Sequence, residues 1–245
     1  MRYALVGLAV MACGRLDFDP APGAGPIDAA RDLAGDGDSS DPRIAPQFVQ
    51  YADTTTGSAN AAALAVPYTM DVTVGDLLVV CAGVNNQSLT SLSDTTGDLF
   101  TVLGPVIENF NVIYTAYAIA GTSGPETVGV MFDGSNYAAL RVHEYADVDP
   151  VTPLDTYGSN TGTTVGSDVI EVSLTTATEN ELVFAYAVSS AGIATAGTGF
   201  NARSVAADDI SEDRIEQDAG TYEVTANNSG TPWAIQALAF RGREP

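Results

Sequence analysis

Short apolar runs recur about every ten residues along this chain, and clusters of Gly, Asp, Asn and Pro break each of them. Asp76 to Val84 (DLLVVCAGV) is continuous and rich in Val and Leu; Asn111 to Ile119 (NVIYTAYAI) is β-branched and aromatic. Thr127 to Phe132, Ala138 to Tyr145, Val169 to Leu174, Leu182 to Val188, Tyr222 to Ala226 and Trp233 to Phe240 share that character. No stretch of twelve residues keeps a 3.6-residue period. Runs of this length, with β-branched side chains and turn residues between them, specify strands of a sandwich or barrel. The stretch Val205 to Asp218 is charged, and a hairpin is the preferred reading over a short helix. The expected fold is therefore all-β: a two-sheet antiparallel β-sandwich, jelly-roll-like, over residues 46–245. No repeat of fixed period is visible. Two passages share a style, Gly75 to Val80 (GDLLVV) and Glu179 to Phe184 (ENELVF), as if they were equivalent strands in the two sheets of a sandwich.

The chain ahead of this head is of another kind. Residues 14–45 carry seven Asp against three Arg and lack apolar periodicity. Such a composition cannot bury enough apolar surface to fold, so residues 13–45 are expected to be a disordered acidic linker. Ahead of it, Arg2 and the nine-residue apolar run Ala4 to Ala12 have the proportions of a secretory signal over residues 1–12, too short to span a bilayer. The whole chain holds nine basic residues, all Arg, against 31 Asp and Glu, a formal charge of −22. Phosphate backbones repel such a molecule, which argues against a nucleic-acid partner.

The signal ends Val10-Met11-Ala12-Cys13, and this resembles the lipobox of bacterial lipoproteins. Ala12 and Cys13 match that pattern, Val10 is acceptable, and Met11 departs from it. The resemblance implies lipidation of Cys13 and a membrane partner reached through the acyl chains. Several chains together anchor stably where one binds marginally. The segment after Cys13 is similar to the start of predicted surface lipoproteins of high-GC Gram-negative bacteria. Gly14 rather than Asp follows the cysteine, which by the same resemblance points to the outer membrane of the cell envelope. The strand order and turn residues of the head resemble a β-sandwich common in secreted bacterial proteins, found beside cell-surface and carbohydrate-active modules. That likeness implies a fold and an extracellular setting but no catalytic residue.

Groups able to do chemistry are few. His143 is the sole histidine, within LRVHEY, where alternation puts Arg141, His143 and Tyr145 on one strand face. No nucleophile elbow accompanies it, and it reads as a partly exposed residue of a strand near an edge. Cys81 lies inside a strand with no partner cysteine in the mature chain, so it reads as a small buried apolar residue. Aromatic rings next to turns, Trp233, Tyr222, Tyr157 and Tyr137, are the candidates for stacking on a sugar. Trp233 also has a core-packing reading. Asp94, Asp98, Asp147 and Asp149 are turn carboxylates that a structural Ca2+ would use, since calcium takes oxygen ligands from carboxylates and loop carbonyls. The expected function is a non-catalytic module, anchored in the envelope, that binds a glycan or a surface protein. The alternatives are a passive structural or adhesion lipoprotein, and a glycoside hydrolase needing two carboxylates about 5–10 Å apart.

Overall fold

The alternation of apolar runs and turns becomes sixteen strands in a computed structural model, which describes residues 42–162, 169–190, 192–206, 209–228 and 232–245. The expected signal, Cys13 and linker residues up to 41 lie outside the described residues. Residues 42–45, expected as linker, belong to the head: Ile44 forms a bridge with Arg243, and the Arg43 guanidinium donates to the Gly242 carbonyl at 2.8 Å.

The first eight strands are β1 (Gln47–Thr55), β2 (Ala61–Pro67), β3 (Leu77–Asn85), β4 (Leu89–Asp94), β5 (Thr101–Glu108), β6 (Asn111–Ile119), β7 (Thr127–Asn136) and β8 (Ala138–Ala146). They build a five-stranded sheet, β1-β8-β3-β6-β5, and a three-stranded sheet, β2-β7-β4. The second eight are β9 (Leu154–Gly162), β10 (Val169–Thr175), β11 (Glu181–Ser189), β12 (Ile193–Ala196), β13 (Asn201–Ala206), β14 (Asp209–Glu216), β15 (Thr221–Asn228) and β16 (Trp233–Phe240). They build β9-β16-β11-β14-β13 and β10-β15-β12. Adding eight to each strand number of the first half reproduces the second half strand for strand. The head is thus a tandem repeat of one eight-stranded sandwich, legible in topology though not as a sequence period. All pairings within these sheets are antiparallel.

The all-β sandwich expected from the sequence is the architecture of the head, built from four sheets rather than two. Alternation along the central strands assigns the layers. Leu78, Val80 and Ala82 of β3 join Val128, Val130 and Phe132 of β7 in one core. Val183, Ala185 and Ala187 of β11 join Ile170, Val172 and Val224 in a second. The opposite faces of the same two strands, Leu77, Val79 and Cys81 with Leu182, Phe184 and Tyr186, share a third core. The two five-stranded sheets therefore face each other in the middle, and the three-stranded sheets form the outer layers. Strands β3 and β11 are buried on both faces, which explains their unbroken apolar sequence.

GDLLVV and ENELVF enter β3 and β11. A residue with positive φ, Gly75 (91°) or Asn180 (53°), stands two positions before the first shared leucine in each. The pairings then align the halves residue by residue. Leu77 opposes Ile119 and Tyr145, and Leu182 opposes Ile215 and Phe240. The stretch 205–218, expected as a hairpin, supplies the second arm of one: β14 pairs antiparallel with β13, which begins earlier, at Asn201.

Candidate functional site

The middle interface carries an unusual load of polar groups. Strand β8 turns Arg141, His143 and Tyr145 toward β14, which answers with Asp209, Ser211 and Asp213 in step. Arg141 Nη1 donates to Asp209 at 3.1 Å, His143 Nε2 lies 2.8 Å from the Ser211 hydroxyl, and Tyr145 donates to Asp213 at 2.6 Å. Around them, the Arg141 Nε donates to the Ser204 hydroxyl at 3.2 Å, the Ser204 hydroxyl donates to Asp53 at 2.5 Å, and Arg203 grips Asp213 through two nitrogens. His143 is fully buried, contrary to the partly exposed edge position expected. Its strand is second in the sheet, and the polar face that suggested an edge is matched by another polar face. Burial pushes the His143 pKa down to about 3, with Arg141 and Arg203 adding to the effect. His143 therefore stays neutral inside the fold. Cys81 is fully buried in the same layer, and burial pushes its thiol pKa up, as fits an inert core residue.

At one end of this interface the two five-stranded sheets separate and enclose a cavity of about 370 Å³. Strands β3 and β11 leave it at Asn85 and Ser189, and β6 and β14 enter beside it at Asn111 and Asp209. These are equivalent strands of the two halves, so both repeats build the cavity. Its lining residues include two aromatics, Phe110 and Tyr137, and three polar residues, Asn85, Asn111 and Ser190. Asn111 Nδ2 donates to Ser190 Oγ at 3.2 Å, joining the halves at the lining. The backbone near both rings is held, because the Asn85 N–H bonds the Tyr137 carbonyl at 3.0 Å and the Asn86 N–H the Phe110 carbonyl at 2.9 Å. Asp209 also lines the cavity, accepting from the Tyr186 hydroxyl at 2.8 Å as well as from Arg141. Gly83 is required beside it: a Cβ there would lie 2.5 Å from the Tyr186 hydroxyl.

The chain enters the head at the far end. Gln47 opens β1 opposite Ala146, the last residue of β8, whereas Ala138 opens β8 opposite Val84 at the cavity. Residues 43–44 and 242–243 pack together at that far end, where the Val148–Gly242 bridge also lies.

Of the aromatic candidates, Tyr137 lines the cavity. Tyr157 is exposed on the edge strand β9. Tyr222 sits on β15, its hydroxyl donating to the Asp218 carbonyl and its ring under the Arg214 guanidinium. Trp233 is 6 % exposed and belongs to the core of the second half, so it offers no stacking face. The structure does not gather the four into one platform. Phe110, Asn85, Asn111 and Ser190 were not singled out in the sequence. Their only signal there is position at a strand end, and their meeting depends on the pairing of the halves.

The four candidate calcium ligands divide. Asp147 binds Arg243 at 2.7 Å and Gln47 at 2.8 Å. Asp149 accepts the N–H groups of Val151 and Thr152, the Thr152 hydroxyl and Arg43. Protein donors thus engage both carboxylates, Asp147 from Arg243 and Gln47 and Asp149 from its own turn and Arg43. Asp94 and Asp98 lie together at the β4–β5 connection, with Glu126 as a third member. Carboxyls pushed up by burial occur at Asp76, to about 7 with Glu144 adding to the effect, and at Glu212, to about 8. Neither lines the cavity, where Asp209 is the one carboxylate among the described lining residues.

No family model, curated protein or solved structure matches the chain. The class it defines by its own geometry is an all-β double sandwich whose two repeats share a middle interface.

Proposed function

We propose that this chain is a lipid-anchored protein of the bacterial cell envelope whose double sandwich is a non-catalytic binding module for a glycan. The single observation that carries the reading is the cavity between the repeats, placed at the end of the head opposite residues 42–44. The volume suits one sugar residue. Rings from Phe110 and Tyr137 supply apolar area for a sugar face, and Asn85, Asn111 and Ser190 supply hydrogen bonds for its hydroxyls. Asp209 is already held by Arg141 and Tyr186, so it acts as a fixed acceptor and not as an acid or base. A glycosidase needs a second carboxylate across the cleft, and the described lining provides one only.

The test is a glycan array probed with the full chain carrying Cys13→Ser, beside the same chain with Phe110→Ala. Retention of a defined glycan by the first, weakened at least tenfold in the second, is the expected result. An array that retains nothing sinks the binding reading in favour of a passive structural module. The anchor is tested separately: the native chain partitions with membranes and the Cys13→Ser chain does not.

A further inference from the structure

The connection after β4 is built around a carboxylate whose two oxygens have different fates. Asp94 Oδ1 accepts the N–H groups of Thr96 (3.1 Å), Gly97 (2.5 Å) and Asp98 (3.0 Å), which accounts for the turn. Asp94 Oδ2 is buried and has no hydrogen-bond partner. Asp98 points to the same place, its Oδ1 accepting the Gly121 N–H at 2.9 Å and its Oδ2 the Thr96 hydroxyl at 3.3 Å. Glu126, from the segment before β7, is 3 % exposed; no donor reaches its carboxylate oxygens with ordinary hydrogen-bond geometry, and its polar neighbours are the Asp94 carboxyl and the Thr96 side chain. A turn at Asp94 has no need of Glu126. A buried carboxylate without a donor is costly unless a cation or a proton joins it, and no ion pair among the described residues includes any of the three.

One oxygen from each carboxylate lies within 4.8 Å of the other two. An ion at the centre of such a triangle lies within about 2.8 Å of each oxygen, and a side-chain adjustment of a few tenths of an ångström brings all three to calcium's usual 2.3–2.6 Å. We propose that Asp94, Asp98 and Glu126 bind one Ca2+, which fastens the β4–β5 connection to the segment leading into β7. The donor set is all oxygen, which selects a hard cation and not zinc or copper. Glu126 offers two oxygens for bidentate contact, and three carboxylates from separate segments suit the flexible shell of calcium better than that of magnesium, which demands a regular octahedron at about 2.1 Å. Water and loop carbonyls complete the shell. The competing account is a shared proton: burial, and next the charge of Asp94, push the Glu126 carboxyl up to about 8. The site sits at the Asp76 end of β3, because Ala120 beside Gly121 bonds the Asp76 carbonyl. It is therefore remote from the cavity, and loss of either proposal leaves the other standing.

The experiment is calorimetric titration of Ca2+ into the metal-stripped full chain at neutral pH, with thermal unfolding in EDTA, millimolar Ca2+ and millimolar Mg2+. One Ca2+ per chain is expected, with a higher midpoint in Ca2+ and little change in Mg2+. Glu126→Gln should abolish binding and the Ca2+ shift, yet unfold in EDTA near the native midpoint, because the neutral amide replaces a carboxyl that burial and Asp94 already hold largely protonated without the ion. Asp98→Asn, at a more exposed position, should weaken binding at least tenfold and serves if the first variant does not fold. No binding at millimolar Ca2+, equal stabilisation by Mg2+, or unaltered affinity in the variants overturns the proposal.

Discussion

The two repeats meet along two strand crossings that are equivalent in topology and opposite in chemistry. Where β8 of the first half meets β14 of the second, the rungs are Arg141–Asp209, His143–Ser211 and Tyr145–Asp213. Where β16 meets β6, the residues in register with these are Gln236, Leu238 and Phe240 against Ile113, Thr115 and Tyr117. Phe240 packs edge-on to Tyr117 at 5.4 Å where Tyr145 bonds Asp213, and Thr115 donates to Gln236 at 2.9 Å. One backbone arrangement thus accepts either a charged network or an aromatic and amide contact. The sheets need only matched faces, and the polar crossing adds directionality. Its geometry is satisfied only when each donor meets its own acceptor, so a slip of one residue leaves buried charges unpaired. The apolar crossing tolerates such slips better. We read the polar crossing as the one that sets the register of the halves.

Breaking its ion pair is expected to have the largest effect. Arg141 is fully buried, and Arg141→Gln, which installs the residue of the other crossing, leaves Asp209 buried without its cation. The expected loss is about 3–5 kcal/mol, read by urea unfolding. Adding Asp209→Ile, again the residue of the other crossing, removes the orphaned charge and should recover most of that loss. If the double variant is no better than the single one, the two crossings are not interchangeable and the comparison fails.

His143 sharpens the comparison through pH, because its counterpart Leu238 cannot titrate. The folded pKa is about 3 against about 6.5 unfolded. Between these values the unfolded chain binds the extra proton. Stability is therefore complete above about 6.5 and falls as the pH drops toward 3, by at most about 1.4 kcal/mol per pH unit. Asp76 and Glu212, with folded pKa values raised to about 7 and about 8, act in the other sense and lose their contribution as the pH rises through those values. The informative quantity is the difference in slope between the native chain and His143→Leu from pH 6.5 to 4. A flatter acid limb in the variant is expected; identical limbs would show that His143 is not held neutral by the fold.

Strand position within each sheet decided how much of this was legible. Every interior strand but one stood out as an apolar run: β3, β6 and β8, then β7, and in the second half β11, β16 and β15. The exception, β14, carries the Asp209, Ser211 and Asp213 face and was readable only as an arm of a hairpin. Edge strands were mostly silent. β1 (QFVQYADTT), β4 (LTSLSD) and β9 (LDTYGSNTG) bury at most one face and carry polar residues throughout, so their sequences resemble loops. Only β10, whose burial alternates strictly, declared itself at an edge. The repeat was hidden for a related reason. GDLLVV and ENELVF share a pattern, but Arg141 against Gln236 and Asp209 against Ile113 show that the pairing scheme recurs between the halves while the side chains do not. Asp94 and Asp98 were visible as turn residues. Glu126 lies 28 residues beyond Asp98 and reaches them through the antiparallel pairing of β4 with β7, which sets Asp94 opposite Val128.

The smallest expected effect belongs to the last rung. Tyr145→Phe reproduces the ring of Phe240 and removes one hydroxyl. Asp213 loses a short hydrogen bond but keeps both contacts to Arg203, at 2.6 and 2.8 Å. The charge is still paired, so the cost should be about 1 kcal/mol, well below that of Arg141→Gln. Combining Tyr145→Phe with Arg203→Met strips Asp213 of its guanidinium partner and its phenolic donor together. The combined loss should then exceed the sum of the single losses by 0.5 kcal/mol or more, within the roughly 0.5–3 kcal/mol coupling of groups that share a network. A strictly additive result would mean that Tyr145 and Arg203 hold Asp213 independently, and the polar crossing would then be a set of separate contacts with no more register-setting power than its aromatic counterpart.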